Sequence, residues 1–141
     1  MPVGLGKMIT LSIIIVSYNT KNLLRDCLLS IERHQPKGLN YEVIVVDNAS
    51  TDGSIELIQN LAARDAPRQR RESRIQNLKL IKNKENVGFA RANNQGIELV
   101  KGEFILLLNS DTEVLDETLE KMVRFIKGKK EALNYIFNGE F

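Results

Sequence analysis

Residues 11–19 of the sequence, LSIIIVSYN, decide the fold. The segment Leu11–Val16 is apolar apart from Ser12 and rich in β-branched side chains, which is typical of a strand that is buried on both faces. The polar residues 17–20 follow at once, and their hydroxyl and amide groups are suited to cap the helix that we expect next. The stretch therefore predicts the first strand of a sheet that is covered on both sides.

The chain repeats this pattern of buried strand, polar turn and amphipathic helix. Strands are predicted at Leu11–Val16, Tyr41–Val46, Leu78–Ile81 and Glu103–Leu108. In the helices that follow, the residues spaced to face the core are Leu23, Leu24, Cys27, Leu28 and Ile31, then Ile55, Ile58, Leu61 and Ala62, then Phe89, Ala92, Gly96, Ile97 and Val100, and last Leu119, Met122, Val123 and Ile126. These units predict an α/β fold of three layers, α/β/α, with a mainly parallel sheet.

Polar residues and glycines indicate where the helices begin and end. Asp52 or Ser54 is predicted to cap the second helix, and Asp116 the last one. Gly88 is predicted to let the backbone turn tightly into the third helix. His34, near the end of the first helix, is expected to supply a favourable charge at that terminus rather than to catalyse a reaction.

The composition is that of one ordinary soluble domain. The chain has 141 residues, of which 43% are hydrophobic and 27% charged, and its formal net charge is +2. These values exclude collagen-like, low-complexity and strongly disordered classes. No apolar run approaches the roughly 18 residues of a membrane span, and we predict no signal peptide. The single cysteine, Cys27, is predicted to be a small core residue in a protein of a reducing compartment.

The small excess of positive charge is local. It comes from a stretch with five arginines, at Arg64, Arg68, Arg70, Arg71 and Arg74. We interpret this stretch as a long exposed connection, with contact to acidic lipid or another polyanion as the alternative. The remainder of the chain has no basic excess, so no nucleic-acid partner is expected.

Polar clusters follow three of the four predicted strands. They are Ser17-Tyr18-Asn19, Asp47-Asn48 and Asn109-Ser110-Asp111. The carboxyl ends of parallel strands lie at one edge of a sheet, and ligands of open α/β sheets bind beyond that edge. We therefore expect these clusters, although distant in sequence, to form one site.

The chemistry of this predicted site is set partly by which phosphate-binding motifs the sequence lacks. Neither a P-loop nor a dinucleotide-binding glycine motif is present. A nucleotide would therefore be held by carboxylates, side-chain amides and a metal ion. Asp47 could accept hydrogen bonds from a base or a ribose, and Asp111 could bind Mg²⁺ or Mn²⁺. Such an ion would offset the charge that builds on a pyrophosphate leaving group.

Four segments in order give a specific family resemblance. They are LSIIIVSYN at 11–19, VVDNASTDGS at 45–54, NVGFARANNQG at 86–96 and LLLNSDT at 106–112. Together they resemble the family 2 glycosyltransferases of GT-A fold over about residues 10–126, and the Asn-Ser-Asp variant is similar to the rhamnosyltransferase-like branch. The resemblance implies a single nucleotide-sugar-binding domain over residues 1–141, truncated after the metal motif, with 127–141 as a tail whose fold the pattern leaves open.

The resemblance also implies roles for individual residues near the first two strands. Ser17, Tyr18 and Asn19 would line the base and ribose of a nucleotide-diphospho-sugar. Asp47 would be the carboxylate that recognises the base. These implied roles agree with the position of the residues after the strands.

Further roles are implied in the second half of the chain. The binding residues there would be Gly88, Arg91, Asn94, Ser110 and Asp111. Arg91 would approach the nucleotide phosphates, and Asp111 would bind the divalent metal, Mg²⁺ or Mn²⁺, with Ser110 beside it. Asn109 stands where the first carboxylate of a strict DXD motif would be, which predicts weaker binding of the metal.

Each of these roles has a structural alternative. Asp47 and Asp111 could be turn residues, and Tyr18 could pack in the core. Asn93 and Asn94 could simply be exposed residues of a helix. The sequence alone leaves these alternatives open.

Three classes of function follow. The first is the donor domain of an inverting glycosyltransferase that acts on a glycan or lipid-linked acceptor, as in cell-surface polysaccharide biosynthesis. The second is a nucleotide-sugar-binding fragment without transferase activity of its own, because no catalytic base is identified among the later acids, Glu113, Asp116, Glu117, Glu120, Glu131 and Glu140. The third is a receiver-like signalling domain, but it would need acids after the first strand and an aspartate after the third.

The expected surroundings of the protein follow from the same features. A cytoplasmic location is expected, with peripheral contact at the inner face of the membrane as an alternative. A sheet with an unfinished edge also has reason to pair with a second copy, so a homodimer is a further hypothesis.

Overall fold

The computed structural model of the chain describes residues 8–62, 75 and 77–129. Strands and helices alternate along these residues in the order β1 (Leu11–Ser17), α1 (Lys21–Arg33), β2 (Tyr41–Asp47), α2 (Ser54–Ala62), β3 (Leu78–Lys82), α3 (Phe89–Ile97), β4 (Phe104–Asn109) and α4 (Thr118–Lys127). Each predicted strand is present; the first three end one residue later than predicted, and the fourth both begins and ends one residue later.

The strands form one sheet in which all three pairings are parallel. Their order across the sheet is β3-β2-β1-β4. The register pairs Ser17 with Asp47, Asp47 with Lys82, and Val16 with Asn109. The carboxyl ends of all four strands therefore lie at the same edge, and the predicted α/β fold with a parallel sheet is confirmed.

Two apolar clusters cover the two faces of the sheet, because successive side chains of a strand point to opposite sides. The larger cluster joins strand residues such as Ile13 and Val45 to α1, α2 and α4. The smaller cluster contains Ile14, Ile44, Val46 and Ala92, so α3 covers the other face. Helices therefore lie on both sides, as the three-layer prediction required. Cys27 is buried in the larger cluster, as predicted.

Several helical residues that were predicted to face the core are exposed. They are Leu23 at 51%, Phe89 at 61%, Ile97 at 39% and Met122 at 41% of their surface. The buried face of α3 is narrow because this helix lies very close to the sheet: a Cβ on Gly96 would come within 2.7 Å of Ile14 Cγ2. Val100 lies beyond the end of α3 and packs against the smaller cluster from the turn that follows.

The start of α1 is capped from a distant part of the chain. Its N-cap residue, Thr20, makes no side-chain cap hydrogen bond within the described residues. Instead, the Lys21 N–H donates to Asp52 Oδ2 at 2.9 Å. The expectation that residues 17–20 cap this helix with their own side chains is therefore wrong, because a carboxylate of the next loop takes that position.

The predicted cap of α4 is also wrong. The helix begins after Glu117, which has a φ of 57°, and not after Asp116. The Asp116 carboxylate points the other way and lies 3.6 Å from His34 Nδ1, at the end of α1. His34 therefore has an acidic neighbour at the helix terminus where a positive charge is favourable.

Some sequence-based expectations fall on other parts of the chain. The arginine-rich connection at 64–74 and the tail beyond residue 129 lie outside the described residues. Within the described ranges, no helix is long and apolar enough to cross a membrane.

Candidate functional site

The loops that follow the four strands meet at one edge of the sheet. Hydrogen bonds between these loops join residues that are far apart in sequence. Ser17, Asn19, Asp47, Gly88 and Ser110 all belong to this bonded set, and all five were predicted from the sequence. Their convergence is therefore observed in the structure, whereas their roles toward a ligand remain predictions.

Asp47 is the last residue of β2, one of the two central strands of the sheet. Its side chain is completely buried. One carboxylate oxygen, Oδ2, accepts the Ser50 N–H at 2.8 Å and so stabilises the turn after β2. The other oxygen, Oδ1, is buried without a hydrogen-bond partner among the described residues. One oxygen of Asp47 therefore stabilises the turn, but this role does not account for the buried and unpaired Oδ1.

The loops after β1 and β2 are bonded to each other through Asn19. The Asn19 N–H donates to Ser50 Oγ at 2.9 Å, and its side-chain Oδ1 accepts the Thr51 N–H at 2.8 Å. Asn19 and Ala49 both have left-handed backbones, with φ of 50° and 65°. Left-handed residues other than glycine are uncommon and concentrate at functional sites. The two loops thus make the same kind of bend two residues beyond paired strand ends.

Asp52 lies in the same loop, and both of its oxygens are used by the fold. Oδ1 accepts the Ser54 N–H at 3.1 Å and the Ser54 hydroxyl at 2.5 Å, while Oδ2 accepts the Lys21 N–H. Burial raises the pKa of this carboxyl, but the hydrogen bonds from Ser54 and Lys21 together outweigh it and hold the pKa below its usual value. Asp52, one of the two predicted caps, therefore caps α2, and both of its oxygens accept hydrogen bonds from the chain.

A chain of hydroxyl groups connects the ends of β1 and β4. Ser17 Oγ lies 3.0 Å from Thr20 Oγ1, and the Thr20 hydroxyl donates to Ser110 Oγ at 3.1 Å. Thr20 was not among the predicted site residues, although its position just before α1 could have suggested it. This chain holds the β4 loop, which carries Asp111, beside the β1 loop.

Cys27 lies below the end of β4. Its thiol donates weakly to the Asn109 carbonyl at 3.8 Å. Burial, and secondarily the nearby Asp111 carboxylate, raise the pKa of the Cys27 thiol to about 12. The thiol is therefore protonated at neutral pH, which agrees with a packing role and excludes a reactive thiolate.

The third predicted segment begins α3 at the same edge. Gly88 is the N-cap residue with a φ of 87°, a conformation that side-chain-bearing residues rarely adopt, so its predicted structural role is confirmed. Arg91 and Asn94 are exposed on this helix. Asn93 is buried instead, and its side chain donates to the Phe89 carbonyl at 3.1 Å. The alternative that Asn93 is an exposed helix residue is therefore wrong.

The remaining predicted residues are exposed at this edge. Half of the Tyr18 surface is exposed, so the alternative that it packs in the core is wrong. Asp111 is exposed in the turn after β4, where the Thr112 N–H donates to the Asn109 carbonyl at 3.1 Å. Tyr18, Asp111 and the side chains of Arg91 and Asn94 take no part in the hydrogen bonds between the described loops.

Three side-chain amides are bonded to one another near the site, and two of them, Asn83 and Gln95, were not predicted from the sequence, whereas Asn48 belongs to a predicted cluster. Asn83 Nδ2 donates to Asn48 Oδ1 at 2.9 Å and to Gln95 Oε1 at 2.8 Å, and Gln95 Nε2 donates back to Asn83 Oδ1 at 3.0 Å. Asn83 could have been found by the rule already applied to the other strands, namely that polar residues directly after a strand lie at the site. Asn83 directly follows β3, as Asn48 directly follows β2.

The donor atoms at the end of β4 fit a hard divalent cation. They are the Asp111 carboxylate, the Ser110 hydroxyl and the Asn109 amide oxygen, all oxygen ligands of the kind that Mg²⁺ and Mn²⁺ take. Across residues 8–62, 75 and 77–129, no group of three or more acidic, histidine or cysteine residues could hold a metal by itself. A cation here would need the phosphates of a substrate and water to complete its coordination.

Three of the described acids that follow Asp111 make contacts elsewhere in the fold, although Glu120 Oε2 is buried without a hydrogen-bond partner among the described residues. Glu117 lies 3.2 Å from the Lys121 ammonium, and Glu120 Oε1 accepts the Lys37 N–H at 2.8 Å. Asp116 faces His34, as described above. Glu113 is exposed two residues after Asp111. None of these contacts favours one of the acids as a general base.

Comparison with known proteins identifies relatives among bacterial glycosyltransferases. The chain is 34% identical over 116 residues to an uncharacterized glycosyltransferase of Haemophilus influenzae, covering 82% of this chain and 42% of the relative. It is 32% identical to the putative glycosyltransferase EpsH of Bacillus subtilis, over 92% of this chain and 34% of EpsH. It is 30% identical to a poly(ribitol-phosphate) beta-glucosyltransferase of Bacillus spizizenii, over 83% of this chain and 17% of that relative. The chain thus spans less than half the length of these relatives.

Solved structures with the same fold include complexes with nucleotides. S. aureus TarS 1-349 in complex with UDP superposes with a TM-score of 0.68 at 26% identity, covering 85% of this chain and 32% of that one. The mannosyltransferase PcManGT of Pyrobaculum calidifontis, in complex with GDP-Man and Mn²⁺, gives the same TM-score and identity. This match covers 82% of this chain and 32% of PcManGT. TarS is a GT-A enzyme, so the predicted GT-A type of fold is confirmed.

The family itself is identified by sequence. The profile of Glycosyl transferase family 2 matches residues 12–136, which is most of the chain. This match leaves no basis for the receiver-like alternative. The four segments from which the resemblance was drawn lie inside the matched range, apart from Leu11 at the start of the first. The chain belongs to glycosyl transferase family 2.

Proposed function

We propose that this chain is a glycosyltransferase donor domain, which binds a nucleotide-diphospho-sugar together with a divalent cation for inverting transfer of the sugar to an acceptor hydroxyl. The observation that carries the proposal is the buried Asp47 carboxylate, whose Oδ1 has no hydrogen-bond partner among the described residues. A buried acceptor left unpaired costs about 1–3 kcal/mol. A donor group of a ligand would remove this cost.

The ligand group that suits Asp47 is an N–H of a base or an O–H of a ribose. Because Oδ1 is covered in the structure, we expect the loop of residues 48–53, or the carboxylate itself, to shift when the nucleotide binds. Ser17, Tyr18 and Asn19 would line the base and ribose next to it. Support comes from the relatives of known structure, one of which binds UDP and another GDP-Man.

The phosphates would lie between α3 and the end of β4. Arg91 is exposed in the first turn of α3, after Gly88, and is suited to pair with phosphate oxygens. Asn94 lies one turn further on the same helix. Asp111, with Ser110 beside it, would hold Mg²⁺ or Mn²⁺, which supplies charge to stabilise the departing nucleoside diphosphate. A neighbour that holds Mn²⁺ with GDP-Man supports this part of the proposal.

Transfer of the sugar also needs an acceptor site and a general base that removes the acceptor proton. The chain spans 42%, 34% and 17% of the three relatives reported above, so the activity of those longer proteins is a proposal here. The same proposal includes a glycan or lipid-linked acceptor and a homodimer. It also includes a cytoplasmic location, with peripheral contact at the inner face of the membrane as the alternative. The second candidate is a fragment that binds the nucleotide-sugar and does not transfer it.

Calorimetric titration of the 141-residue chain with UDP, dTDP and GDP, with and without Mn²⁺, tests the proposal. We expect saturable binding of at least one nucleotide, and tighter binding in the presence of Mn²⁺. Asp111→Asn should remove the effect of Mn²⁺ and retain the metal-free affinity. Asp26→Asn, at an exposed position on α1, is the matched control with the same change of charge.

The outcomes separate the candidates. Absence of binding of all three nucleotides at millimolar concentration with Mn²⁺ present would contradict both. Binding without hydrolysis or transfer of the sugar, in assays with the corresponding nucleotide-sugars, would favour the second candidate over the first.

A further inference from the structure

Behind the candidate site lies a group of three bonded side chains that the proposed function does not use. We call it the amide cluster: Asn48 after β2, Asn83 after β3 and Gln95 on α3. Asn83 is its centre, because it donates to both of the other residues and accepts from Gln95. The cluster therefore joins two strand ends to a helix through three hydrogen bonds of 2.8–3.0 Å.

Asn83 has no donor left for a ligand. A side-chain amide has two N–H groups, and here one is directed to Asn48 Oδ1 and the other to Gln95 Oε1. The backbone N–H of Asn83 is also used, since it donates to the Asp47 carbonyl at 2.9 Å. Any effect of Asn83 on a ligand must therefore act through its neighbours.

The neighbours lead directly to the two sides of the proposed site. The Asn48 N–H donates to the Ser17 carbonyl at 2.9 Å, and the Asn48 side chain donates to the Gly88 carbonyl at 3.4 Å. Gly88 begins α3, the helix that carries Arg91. The amide cluster thus connects the strand ends at Ser17 and Asp47 to both the start and the last turn of α3.

Apolar packing alone fixes the orientation of α3 poorly. The buried residues of this helix are Ala92, Asn93 and Gly96, which offer little apolar surface. Burial of apolar surface is not directional, whereas hydrogen bonds depend on the angle at the donor. The close packing of Gly96 against Ile14 limits the height of α3 over the sheet, so it is the rotation of the helix that depends on bonds such as those of Gln95 and Asn48.

We propose that the amide cluster is a positioning device, which holds Arg91 on α3 at the correct distance from the Asp47 carboxylate, and that Asn83 and Gln95 are positioning residues for nucleotide binding. The inference rests on the proposed function. It goes beyond it by assigning a role to residues that do not touch the ligand. It also predicts that loss of Asn83 and loss of Arg91 will not act independently.

A double-mutant cycle on the full 141-residue chain tests this inference, with whichever of UDP, dTDP and GDP the wild-type chain binds as the probe, in the presence of Mn²⁺. Asn83→Ala is expected to weaken binding about fivefold, as for loss of a typical hydrogen bond. In the Arg91→Ala background, Asn83→Ala should weaken binding less than twofold, because the group that it positions is already gone. Asn60→Ala, at an exposed position on α2, is the matched control and should change neither affinity.

The possible results distinguish the two proposals. If the wild-type chain binds none of UDP, dTDP and GDP, the proposed function fails, and this inference fails with it. If the wild-type chain binds but Asn83→Ala changes the affinity equally with and without Arg91, the amide cluster does not act through Arg91 and the inference alone is overturned. If Asn83→Ala does not fold, the same cycle with Gln95→Met decides, because this variant retains the bond between Asn83 and Asn48.

Discussion

Two acidic residues are buried at opposite ends of β2, and the fold treats them differently. Glu42 lies near the amino end of the strand with 1% of its surface exposed, and Asp47 ends the strand with 0% exposed. Both positions are unusual, because acidic residues are rarely buried unless they are paired. What differs is the number of donors that the rest of the chain supplies to each.

Every oxygen of Glu42 has a partner. Oε1 accepts the Ser12 hydroxyl and the Lys101 N–H, both at 2.7 Å, and Oε2 lies 2.7 Å from the Lys79 ammonium. Burial raises the pKa of this carboxyl, but the bonds from Lys79, Ser12 and Lys101 outweigh it and lower the pKa below its usual value. The group closes further through Ser12 Oγ, which accepts the Gly102 N–H at 2.9 Å.

Among the described residues, Asp47 has one donor, the Ser50 N–H, for two oxygens. The comparison teaches that burial of a carboxylate does not by itself indicate function. A buried carboxylate with all its donors supplied by the chain is part of the fold. One with an oxygen left over, at the edge where ligands of parallel sheets bind, has capacity for a donor from outside. The following predictions test this distinction.

The largest expected effect is on stability, from Glu42→Gln. The amide has one acceptor oxygen in place of two, and its NH₂ group faces donors, so we expect the free energy of unfolding to fall by about 2–3 kcal/mol. Urea denaturation measures it. The affinity of the folded fraction for UDP or GDP should be unchanged. A loss below 0.5 kcal/mol would contradict the assignment of Glu42 to the fold.

The same substitution at the other end, Asp47→Asn, is expected to act on binding instead. Bonds to a charged acceptor contribute about 1.5–3 kcal/mol, so the affinity for the nucleotide should fall at least about tenfold. The amide oxygen can still accept the Ser50 N–H, and stability should change by less than about 0.5 kcal/mol. Calorimetric titration and urea denaturation of the same preparation measure both. Unchanged affinity with lower stability would make Asp47 a structural residue like Glu42.

Asp52→Ala compares two carboxylates of a single loop, because Asp52 follows Asp47 in the loop after β2. This carboxylate caps α2 and also accepts the first N–H of α1, so its loss should lower the free energy of unfolding by about 1 kcal/mol. Nucleotide affinity should change far less than in Asp47→Asn. A tenfold loss of affinity without loss of stability would instead make Asp52 a ligand-binding residue.

The smallest effect is expected on the free energy of unfolding when the pH is lowered. Because the pKa of Glu42 is lower in the folded than in the unfolded chain, its stabilisation is present above the unfolded value, about 4.3, and is lost as the pH falls through the folded value. The difference in stability between the wild type and Glu42→Gln should therefore shrink below about pH 4. Urea denaturation at several pH values measures it, and parallel curves would contradict the prediction.

The sheet could be predicted from the sequence because its signal is local. Apart from β3, whose sequence contains two lysines, the strands are short and mostly apolar runs, which can be recognised without knowing their partners. Glu42 could not be predicted to be satisfied, because its donors Ser12 and Lys79 lie 30 and 37 residues away. The cap of α1 failed for the same reason, since Asp52 lies 31 residues from Lys21.

The candidate site was predictable as far as the strand ends determine it. Ser17, Asp47 and Ser110 are at the expected edge because parallel strands in register end together. Asn83 was missed although it also follows a strand. The predicted inward direction of Phe89 was wrong because the close approach of α3 to the sheet leaves room only for small residues beneath it.

The state of Cys27 has a practical consequence for measuring these effects. It is the single cysteine of the chain, and its buried, protonated thiol will react slowly with maleimides, since the thiolate is the nucleophile. A substitution such as Ala90→Cys, at an exposed position in the first turn of α3, would therefore introduce the reactive thiol without removal of the native one. A fluorophore attached there would lie beside Arg91 and report nucleotide binding optically.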